Sequence, residues 1–369
     1  MDIPQTPEGE EPVIPAEAVR RMPPPPPQPI VIQQPGKGRW AKFLLVALGI
    51  SVMANITQRA SYESYFISGG KIAEKYVTHS READDKVAVI RLQGAIMSGE
   101  GFFKQQIDQV RRDKSIKAVV LRIDSPGGTV TGSDYLYHHI KEVIAERDIP
   151  LVVSMGSLCA SGGYYVAMAV GDAEDRIFAE PTTWTGSIGV IIPHYDLSGL
   201  LERWDIEDDS VASHKFKQLL SMTRKRNAEE SAEVRKLLQE MVDQSFSGFK
   251  DIVRAGRTTF REDDAALDAV ATGQIFTATQ ALENGLVDRI GFLEEAVDYA
   301  IELAKLDGDK VRVVKYTQPT PGMLEILTGS QGRAAAGWQF DLGRMLDMTA
   351  PRAYYLCTWM PALLSNTRP

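Results

Sequence analysis

The sequence predicts an α/β fold in which helices cover a largely parallel sheet, preceded by one N-terminal transmembrane helix. Between residues 86 and 315, short runs rich in valine and isoleucine alternate with amphipathic stretches. This alternation is typical of strands and helices that follow one another in βαβ units. Glycine-bearing turns stand where the predicted strands end, and a charge-free apolar run lies ahead of the whole region, near residue 45.

Composition and charge narrow the class of protein. Hydrophobic residues make up 44% of the 369 residues and charged residues 24%, which excludes a wholly disordered, collagen-like or coiled-coil chain. The 41 basic and 49 acidic residues leave a net charge of −8. A compact nucleic-acid-binding protein usually carries a basic excess, so we expect no nucleic-acid partner. The two cysteines, Cys159 and Cys357, exclude a disulfide scaffold and a CxxC zinc site.

Residues 1–39 are predicted to form a disordered leader. Of the 20 prolines, 11 lie within the first 36 residues. Such a segment cannot bury a core, and its proline content favours an extended chain. We interpret it as a spacer on the cytoplasmic side, with a docking segment for a proline-binding partner as the alternative.

Residues 40–58 are predicted to form a transmembrane anchor. No charged residue occurs from Phe43 to Gln58, a run of 16 positions. A spanning helix needs roughly 17–25 apolar residues, but Trp40 and Lys42 can lie at the membrane interface and lengthen the usable span. Because basic residues precede the run, the positive-inside rule puts the N-terminus in the cytoplasm and the later chain outside the inner cell membrane, in the periplasm. A cleaved signal peptide ending near Ala54 and a helix buried in a soluble domain are the alternatives.

A linker or helix over residues 59–85 leads into the alternating region, residues 86–315. Helices are expected over Phe103–Asp113, from the turn at Gly128 to about Arg147, and from Ser161 onward. The predicted strands are Val87–Leu92, Lys117–Asp124, Pro150–Ser154, Arg176–Ala179 and Gly189–Ile192.

Two later helices are marked by their caps. Asn227 with Glu230 three residues later predicts the start of a long helix, and Gly256 is a plausible C-terminal cap. Thr277 with Gln280 marks a shorter helix in the same way. Residues 316–369 form a C-terminal extension in which apolar residues recur. Two interpretations of this extension remain: it packs on a neighbouring molecule, or it packs on the membrane surface.

Three glycine-bearing turns are candidates for chemistry: Ser125–Gly128, Cys159–Tyr165 and Thr185–Gly189. In an open α/β sheet, ligands bind beyond the carboxyl ends of the strands. Adjacent glycines there let main-chain N–H groups point into a pocket, and two such groups can form an oxyanion hole. The sequence has no Walker loop, no HExxH and no GxSxG, and its five histidines are scattered. We therefore expect no metal and no cofactor.

Ser161 is the candidate nucleophile, because it directly precedes a glycine pair at the start of a predicted helix. The competing interpretation is an ordinary N-cap serine. A nucleophilic serine needs a base, and a neutral lysine can take that role. Lys215 and Lys217 both lie among apolar residues, and residue chemistry alone does not choose between them. Cys159, two residues before Ser161, is interpreted as a packed side chain.

The region from Val87 to about Leu303 resembles the signal peptide peptidase A family of serine proteases. The resemblance implies the ClpP/crotonase-like fold of repeated ββα units, in its single-repeat, membrane-anchored form. The motifs that carry it are IDSPGG (Ile123–Gly128), SMGSLCASGGYY (Ser154–Tyr165), TGSIGV (Thr185–Val190), KQLLSMTR (Lys217–Arg224) and ALENGLVD (Ala281–Asp288).

Carried over position by position, the resemblance assigns a role to each site residue. Ser161 matches the nucleophile, and Lys217 matches the general base of a Ser–Lys dyad. Ser187 matches the serine that orients the lysine. Gly128 and Gly162 match the donors of the oxyanion hole. The sequence departs from the family pattern at residues 171–175, which form a longer stretch than expected, so we expect a reshaped pocket wall there.

The resemblance also implies partners and substrates. The family's rings of identical subunits imply a homo-oligomer in which serine and lysine of one site come from neighbouring copies. The implied substrates are remnant signal peptides and similar apolar peptides at the membrane. Two alternatives keep the fold and change the function: a crotonase-like enzyme acting on acyl-CoA, and a catalytically silent membrane scaffold.

Overall fold

The structure is a computed structural model that describes residues 39–66, 72–318 and 353–357. The chain divides into two compact units, Met1–Phe66 and Ile67–Pro369. The leader predicted over residues 1–39 lies outside the described residues except for its last one. Most of the C-terminal extension, residues 316–369, also lies outside them.

The first unit contains helix α1 (Arg39–Phe66), so the prediction of a helix over residues 40–58 is confirmed. Large apolar side chains from Phe43 to Ile56 are exposed on it. Within the described ranges, however, no helix combines the length and the apolar character that crossing a membrane requires. The transmembrane part of that prediction stays a prediction. The charge-free run of 16 residues between Lys42 and Arg59 is shorter than the usual requirement of roughly 17–25.

The second unit alternates strands and helices, as predicted. Its described helices are α2 (Phe102–Arg112), α3 (Val130–Arg147), α4 (Gly162–Ala167), α5 (Ser198–Glu202), α6 (Ala228–Gly256), α7 (Asp264–Val270), α8 (Ala278–Glu283) and α9 (Leu293–Leu303). Its described strands are β1 (Ala73–His79), β2 (Asp85–Gln93), β3 (Ile116–Ser125), β4 (Gly127–Thr129), β5 (Leu151–Ala160), β6 (Ile177–Ala179), β7 (Trp184–Gly186), β8 (Ile275–Thr277), β9 (Arg289–Ile290), β10 (Val311–Thr317) and β11 (Tyr354–Leu356).

The main sheet has the strand order β1-β10-β2-β3-β5-β6-β9, with β7 and β8 continuing from β5. From β10 to β9 the neighbours are parallel, and β1 adds an antiparallel edge. Strands β11 and β4 form a separate antiparallel pair. The prediction of an α/β fold with a mostly parallel, helix-covered sheet is thus confirmed.

Both faces of the sheet are buried, which explains the continuous apolar runs of the central strands. In β3, Val119, Leu121 and Ile123 contribute to one core, which also takes buried residues of α2, α3, α4 and α6. The alternate residues Ala118 and Val120 contribute to the second core, which is closed by α9. This packing holds the carboxyl ends of β3 and β5 side by side.

The N-terminal caps predicted for the later helices are present, but the C-terminal cap predicted at Gly256 is wrong, because Gly256 is the last residue of α6 and Arg257 follows it as the C-cap. The Asn227 side chain accepts a hydrogen bond from the Glu230 N–H at 2.8 Å, at the start of α6. Thr277 and Gln280 form a reciprocal capping box at the start of α8. These contacts depend only on residues three apart, which is why the sequence predicts them well.

The prediction of a strand over Gly189–Ile192 is wrong. The structure forms β7 earlier, at Trp184–Gly186, and leaves Ile191 with an isolated bridge to Tyr354. The chain turns at Ser187, which has a φ of +52° and donates its N–H to the Gln274 carbonyl at 2.7 Å. That turn ends the ladder between β7 and β5.

The longer stretch at residues 171–175 does not form a wall of the candidate site. It precedes β6, which runs parallel to β5, so it lies at the amino end of these strands. Ser161 follows β5 at the opposite edge. Asp172 and Asp175 pair there with Arg261 and Arg289 on the surface. The expectation of a reshaped pocket wall is therefore not supported.

Candidate active site

Ser161 stands at a sharp turn between β5 and α4. Its φ and ψ are +53° and −115°, a backbone conformation that residues with a side chain rarely adopt. Its N–H donates to the Gly186 carbonyl at 2.8 Å, and its carbonyl accepts from the Tyr165 N–H at 2.9 Å. The residue is only 1% exposed. Strain held in this way between a strand and a helix is a device by which serine hydrolases present a nucleophile.

Gly128 and Gly162 lie next to each other beside this turn. A Cβ added at Gly162 would lie 3.1 Å from the Gly128 nitrogen and would overlap the Ser133 hydroxyl oxygen. A Cβ added at Gly128 would overlap the main-chain carbonyl of Ile96. Neither position has room for a side chain. The main-chain amides of Gly128 and Gly162 therefore lie close together. This is the arrangement that an oxyanion hole needs.

Ser187 lies close to Ser161 through the pairing of β7 with β5. Ala160 and Gly186 are partners in that pairing, and Ser161 and Ser187 are the next residues on each strand. Ser187 is buried at 6% exposure. Two of the residues named from sequence, Ser161 and Ser187, are thus brought together with the two glycines at one edge of the sheet.

Lys217 is exposed to solvent, unlike the buried Ser161. It lies in an exposed 3-10 turn, Lys215–Gln218. Within the described part of the chain, its side chain makes no hydrogen bond or ion pair. Lys215 differs, because its ammonium contacts the Glu233 carboxylate at 2.7 Å. Lys215 is thus paired with a carboxylate, and the choice of Lys217 as the base stays a prediction.

The turn that bears Lys217 is part of residues 191–226, which we call the arm. Asp208 joins two parts of the arm, because its carboxylate accepts hydrogen bonds from Ser210, Ser221 and Thr223. These bonds, with that from the Ser210 hydroxyl first, lower the pKa of Asp208 to about 2. The arm exposes large apolar side chains to solvent: Tyr195, Leu200, Trp204, Ile206, Val211 and Phe216.

Cys159 and the histidines do not join the site. Cys159 is fully buried, and its burial raises the pKa of the thiol above its ordinary value, as expected for a packed and unreactive side chain. His138, His139 and Glu142 place possible ligand atoms within 4.8 Å of one another. Glu142 is already paired with Arg111, so we assign that cluster no role.

Sequence reasoning missed strand β11, which lies directly against the Gly128 segment. Tyr355 pairs with Gly128 in this short antiparallel ladder, and its side chain is 2% exposed. The signal was a run of aromatic and apolar residues, Ala353–Cys357, whose composition favours a strand. Since the run is short and isolated, only its pairing with β4 identifies its place.

Comparisons with known proteins agree with this geometry. The sequence profile described as peptidase family S49 matches residues 144–307. A candidate protease of Synechocystis sp. is 38% identical over 248 residues, which cover 67% of this chain and 84% of that protein. The chloroplastic serine protease SPPA of Arabidopsis thaliana is 31% identical, over 71% of this chain and 39% of its own length. Protease 4 of Salmonella typhi is 33% identical, over 66% of this chain and 38% of its own length. This chain thus spans well under half of the two longer relatives.

Proposed function

The chain belongs to peptidase family S49, the signal peptide peptidase A family, and is a serine peptidase; from this premise we propose that it hydrolyses peptide bonds with a Ser161–Lys217 dyad. The observation that carries the proposal is the strained turn at Ser161 beside two converging glycine amides. The two alternatives, a crotonase-like enzyme acting on acyl-CoA and a catalytically silent membrane scaffold, lose support. Relatives of longer and of similar length are named as proteases.

The proposed reaction follows from the placement of these groups. The Ser161 hydroxyl attacks the carbonyl carbon of the scissile bond and passes its proton to the lysine amine. The amides of Gly128 and Gly162 stabilise the negative oxygen of the tetrahedral intermediate. The lysine then protonates the leaving amine, and the acyl group stays on Ser161 as an ester. Water, deprotonated by the same amine, hydrolyses the ester and regenerates the serine.

We propose that the lysine of each site comes from a neighbouring copy of the chain. A lysine acts as a base only when its amine is uncharged, a state that burial favours. The exposed turn of Lys217 does not supply that burial within one chain. The apolar side chains of the arm supply a surface that a second copy can cover. Ser187, buried beside Ser161, then stands where it can orient the incoming amine.

Mixing two inactive variants tests the shared site. Ser161→Ala and Lys217→Ala should each lower kcat/KM on a fluorogenic apolar peptide by at least about 10³-fold, because serine and base act as a unit. Mixed in equal amounts and reassembled, they should recover about a quarter of wild-type activity, since some sites then combine an intact serine with an intact lysine.

Lys215→Ala is the matched control, because Lys215 lies two residues away and is already paired with Glu233. It should keep most of the activity. Failure of the mixture to recover activity, with assembly confirmed by light scattering, would contradict a site shared between copies. Full activity of Lys217→Ala would refute the assignment of the base.

We further propose that the chain is held at the inner cell membrane by α1, with its N-terminus in the cytoplasm and the peptidase unit in the periplasm. The charge-free run from Phe43 to Gln58, its exposed apolar side chains and the preceding basic residues support this. The substrates in that setting are remnant signal peptides and similar apolar peptides.

Membrane attachment is tested by fractionation. The full chain should stay with membranes after an alkaline carbonate wash, and added protease should digest the peptidase unit in spheroplasts whose inner membrane is intact. A chain lacking residues 1–66 should be recovered in the soluble fraction. Release of the full chain by the wash would contradict the proposal, whereas digestion only after lysis would reverse the proposed orientation.

A further inference from the structure

A cavity of about 620 Å³ lies on the face of the main sheet that α9 covers. Val89 of β2 and Val297 of α9 line it, and both belong to the core that α9 closes. The Ser161 turn leads into α4, whose buried residues belong to the core on the other face of the sheet. The cavity is therefore separate from the candidate active site. Its volume falls within the range of roughly 300–1,000 Å³ that is usual for ligand pockets.

Basic side chains form the sheet side of this cavity. Arg91 of β2, Arg122 of β3 and Lys315 of β10 all line it, and all three residues are partly buried. Because side chains alternate between the two faces of a strand, they continue the rows of the core residues Val89, Val120 and Val313. Arg91 and Arg122 are direct partners in the pairing of β2 with β3. Three cationic side chains thus reach one cavity, at the point where the apolar core under α9 ends.

Arg122 is already neutralised within the chain. Its guanidinium contacts the Glu180 carboxylate at 2.6 Å. It also donates to the Ser154 hydroxyl at 2.9 Å and to the Met155 carbonyl at 3.2 Å. These contacts hold Arg122 in place, so its charge does not need a ligand.

Arg91 and Lys315 have no such partner. Among the described residues, no carboxylate oxygen lies within ion-pair distance of either side chain. The two carboxylates that line the cavity, those of Glu294 and Asp298, belong to α9, and Asp298 lies 3.6 Å from the His79 ring. Partly buried cations without a counter-charge are costly. A carboxylate bound between Arg91 and Lys315 would supply that charge through charge-assisted hydrogen bonds.

The wall formed by β1 fits a peptide chain. Val77 and Thr78 of β1 line the cavity, and β1 is the edge strand of the sheet in the described part of the chain. The register between β1 and β10 shifts at Val77, which leaves this residue without a partner on β10. Main-chain groups of an edge strand can pair with an added extended segment. Val89 and Leu293 offer apolar surface to the side chains of such a segment.

We propose that this cavity binds the carboxyl end of a short apolar peptide, with the terminal carboxylate on Arg91 and Lys315 and the backbone along β1. The site goes beyond the proposed function, because it uses neither Ser161 nor Lys217. Peptides of this class are what a peptidase acting on apolar chains releases, since each hydrolysis leaves a new carboxylate on the amino-terminal fragment. The cavity is a binding site for such peptides, and no bond is made or broken in it.

Isothermal titration calorimetry of the full-length Ser161→Ala chain tests the site. The probe is an N-acetylated apolar pentapeptide with a free terminal carboxylate, and the same peptide with a C-terminal amide is the comparison. The amide should bind at least about tenfold more weakly, because it carries no charge for the two cations. Unequal affinity is measured here on an unaltered cavity, so this result does not depend on how cavity variants fold.

Arg91→Gln and Lys315→Gln, each added to Ser161→Ala, should weaken binding of the carboxylate peptide by at least about tenfold. Lys117→Gln is the matched control, since Lys117 lies at the other end of β3 and pairs with Asp85. It should bind the peptide as the parent chain does. Circular dichroism of each variant checks that it is folded.

Equal affinity for the acid and the amide overturns the inference. Unchanged affinity in both Arg91→Gln and Lys315→Gln overturns it as well, because the carboxylate is then bound elsewhere. Dodecanoate is titrated as a separate arm, since a fatty acid offers the same carboxylate without amide groups for β1. If dodecanoate binds more tightly than the peptide and loses affinity in Arg91→Gln, the cavity is a fatty-acid site and the assignment to a peptide is wrong.

Discussion

At the scale of single residues, the site depends on backbone geometry more than on side-chain contacts. Ser161 is held at a φ of +53° by strand pairing on one side and a helix on the other. Gly128 and Gly162 serve by lacking a side chain, since any Cβ there would meet Ile96 or Ser133. A change at either glycine should therefore displace the amides that we propose as donors to the substrate carbonyl.

Gly162→Ala should lower kcat/KM on a peptide substrate by about 10²–10³-fold, the usual effect of losing one oxyanion donor. Its Cβ would overlap the Ser133 hydroxyl and push the Gly162 amide out of place. The double variant Gly162→Ala/Ser133→Ala removes the overlapping oxygen and should recover part of the activity. Steady-state kinetics of the two variants measure this. Unchanged kinetics in Gly162→Ala would show that its amide is not a donor in the reaction.

At the scale of elements, one buried ion pair joins the end of α6 to the sheet. Arg257 follows α6, contacts Asp288 at 2.7 Å and donates to the Gly285 carbonyl at 2.8 Å. Asp288 in turn accepts from the N–H groups of Arg176 and Ile177, where β6 begins. The side chains of the pair are only 7% and 12% exposed. The pair thus fixes the end of α6 to the parallel sheet.

Arg257→Met should lower the free energy of unfolding by about 3–5 kcal/mol, because it leaves the Asp288 carboxylate buried without its cation. Urea denaturation followed by circular dichroism measures the change. Lys225→Met is the matched control, since Lys225 pairs with Glu202 on an exposed surface and should cost less than about 1 kcal/mol. Equal effects from the two substitutions would contradict the structural role given to the buried pair.

At the scale of the whole molecule, a single chain brings Ser161 together with Gly128 and Gly162, whereas the proposed base, Lys217, lies in an exposed arm. The same arm exposes apolar side chains such as Trp204, at 73%, and Val211, at 100%. Assembly of chains through the arm, as proposed above, explains both the exposed lysine and the exposed apolar side chains. It covers the apolar surface of the arm and places Lys217 in the site of a neighbouring chain. Assembly and activity are then coupled, so dilution that separates the copies also removes the base.

Much of the fold could be predicted from sequence because it depends on local spacing. The strand at Val87–Leu92, the helix from Phe103 and the cap at Asn227 follow from apolar periodicity and from residues three apart. The strand predicted at Gly189–Ile192 failed because the competing turn at Ser187 is held by Gln274, a residue far along the chain. The run of 16 charge-free residues likewise predicted a helix correctly, because apolar residues without breakers favour a continuous helix.

The sequence by itself determined the alternating α/β architecture and the family, and it predicted the residues proposed for the chemistry, with Ser161 as the proposed nucleophile. Only the tertiary structure decided that Gly128 and Gly162 converge, that Ser161 is buried whereas Lys217 is exposed, and that Tyr355 pairs with Gly128. The reason is physical. Motifs and caps are encoded by neighbours in sequence, whereas strand register and the burial of a side chain depend on segments that meet only after the chain has folded.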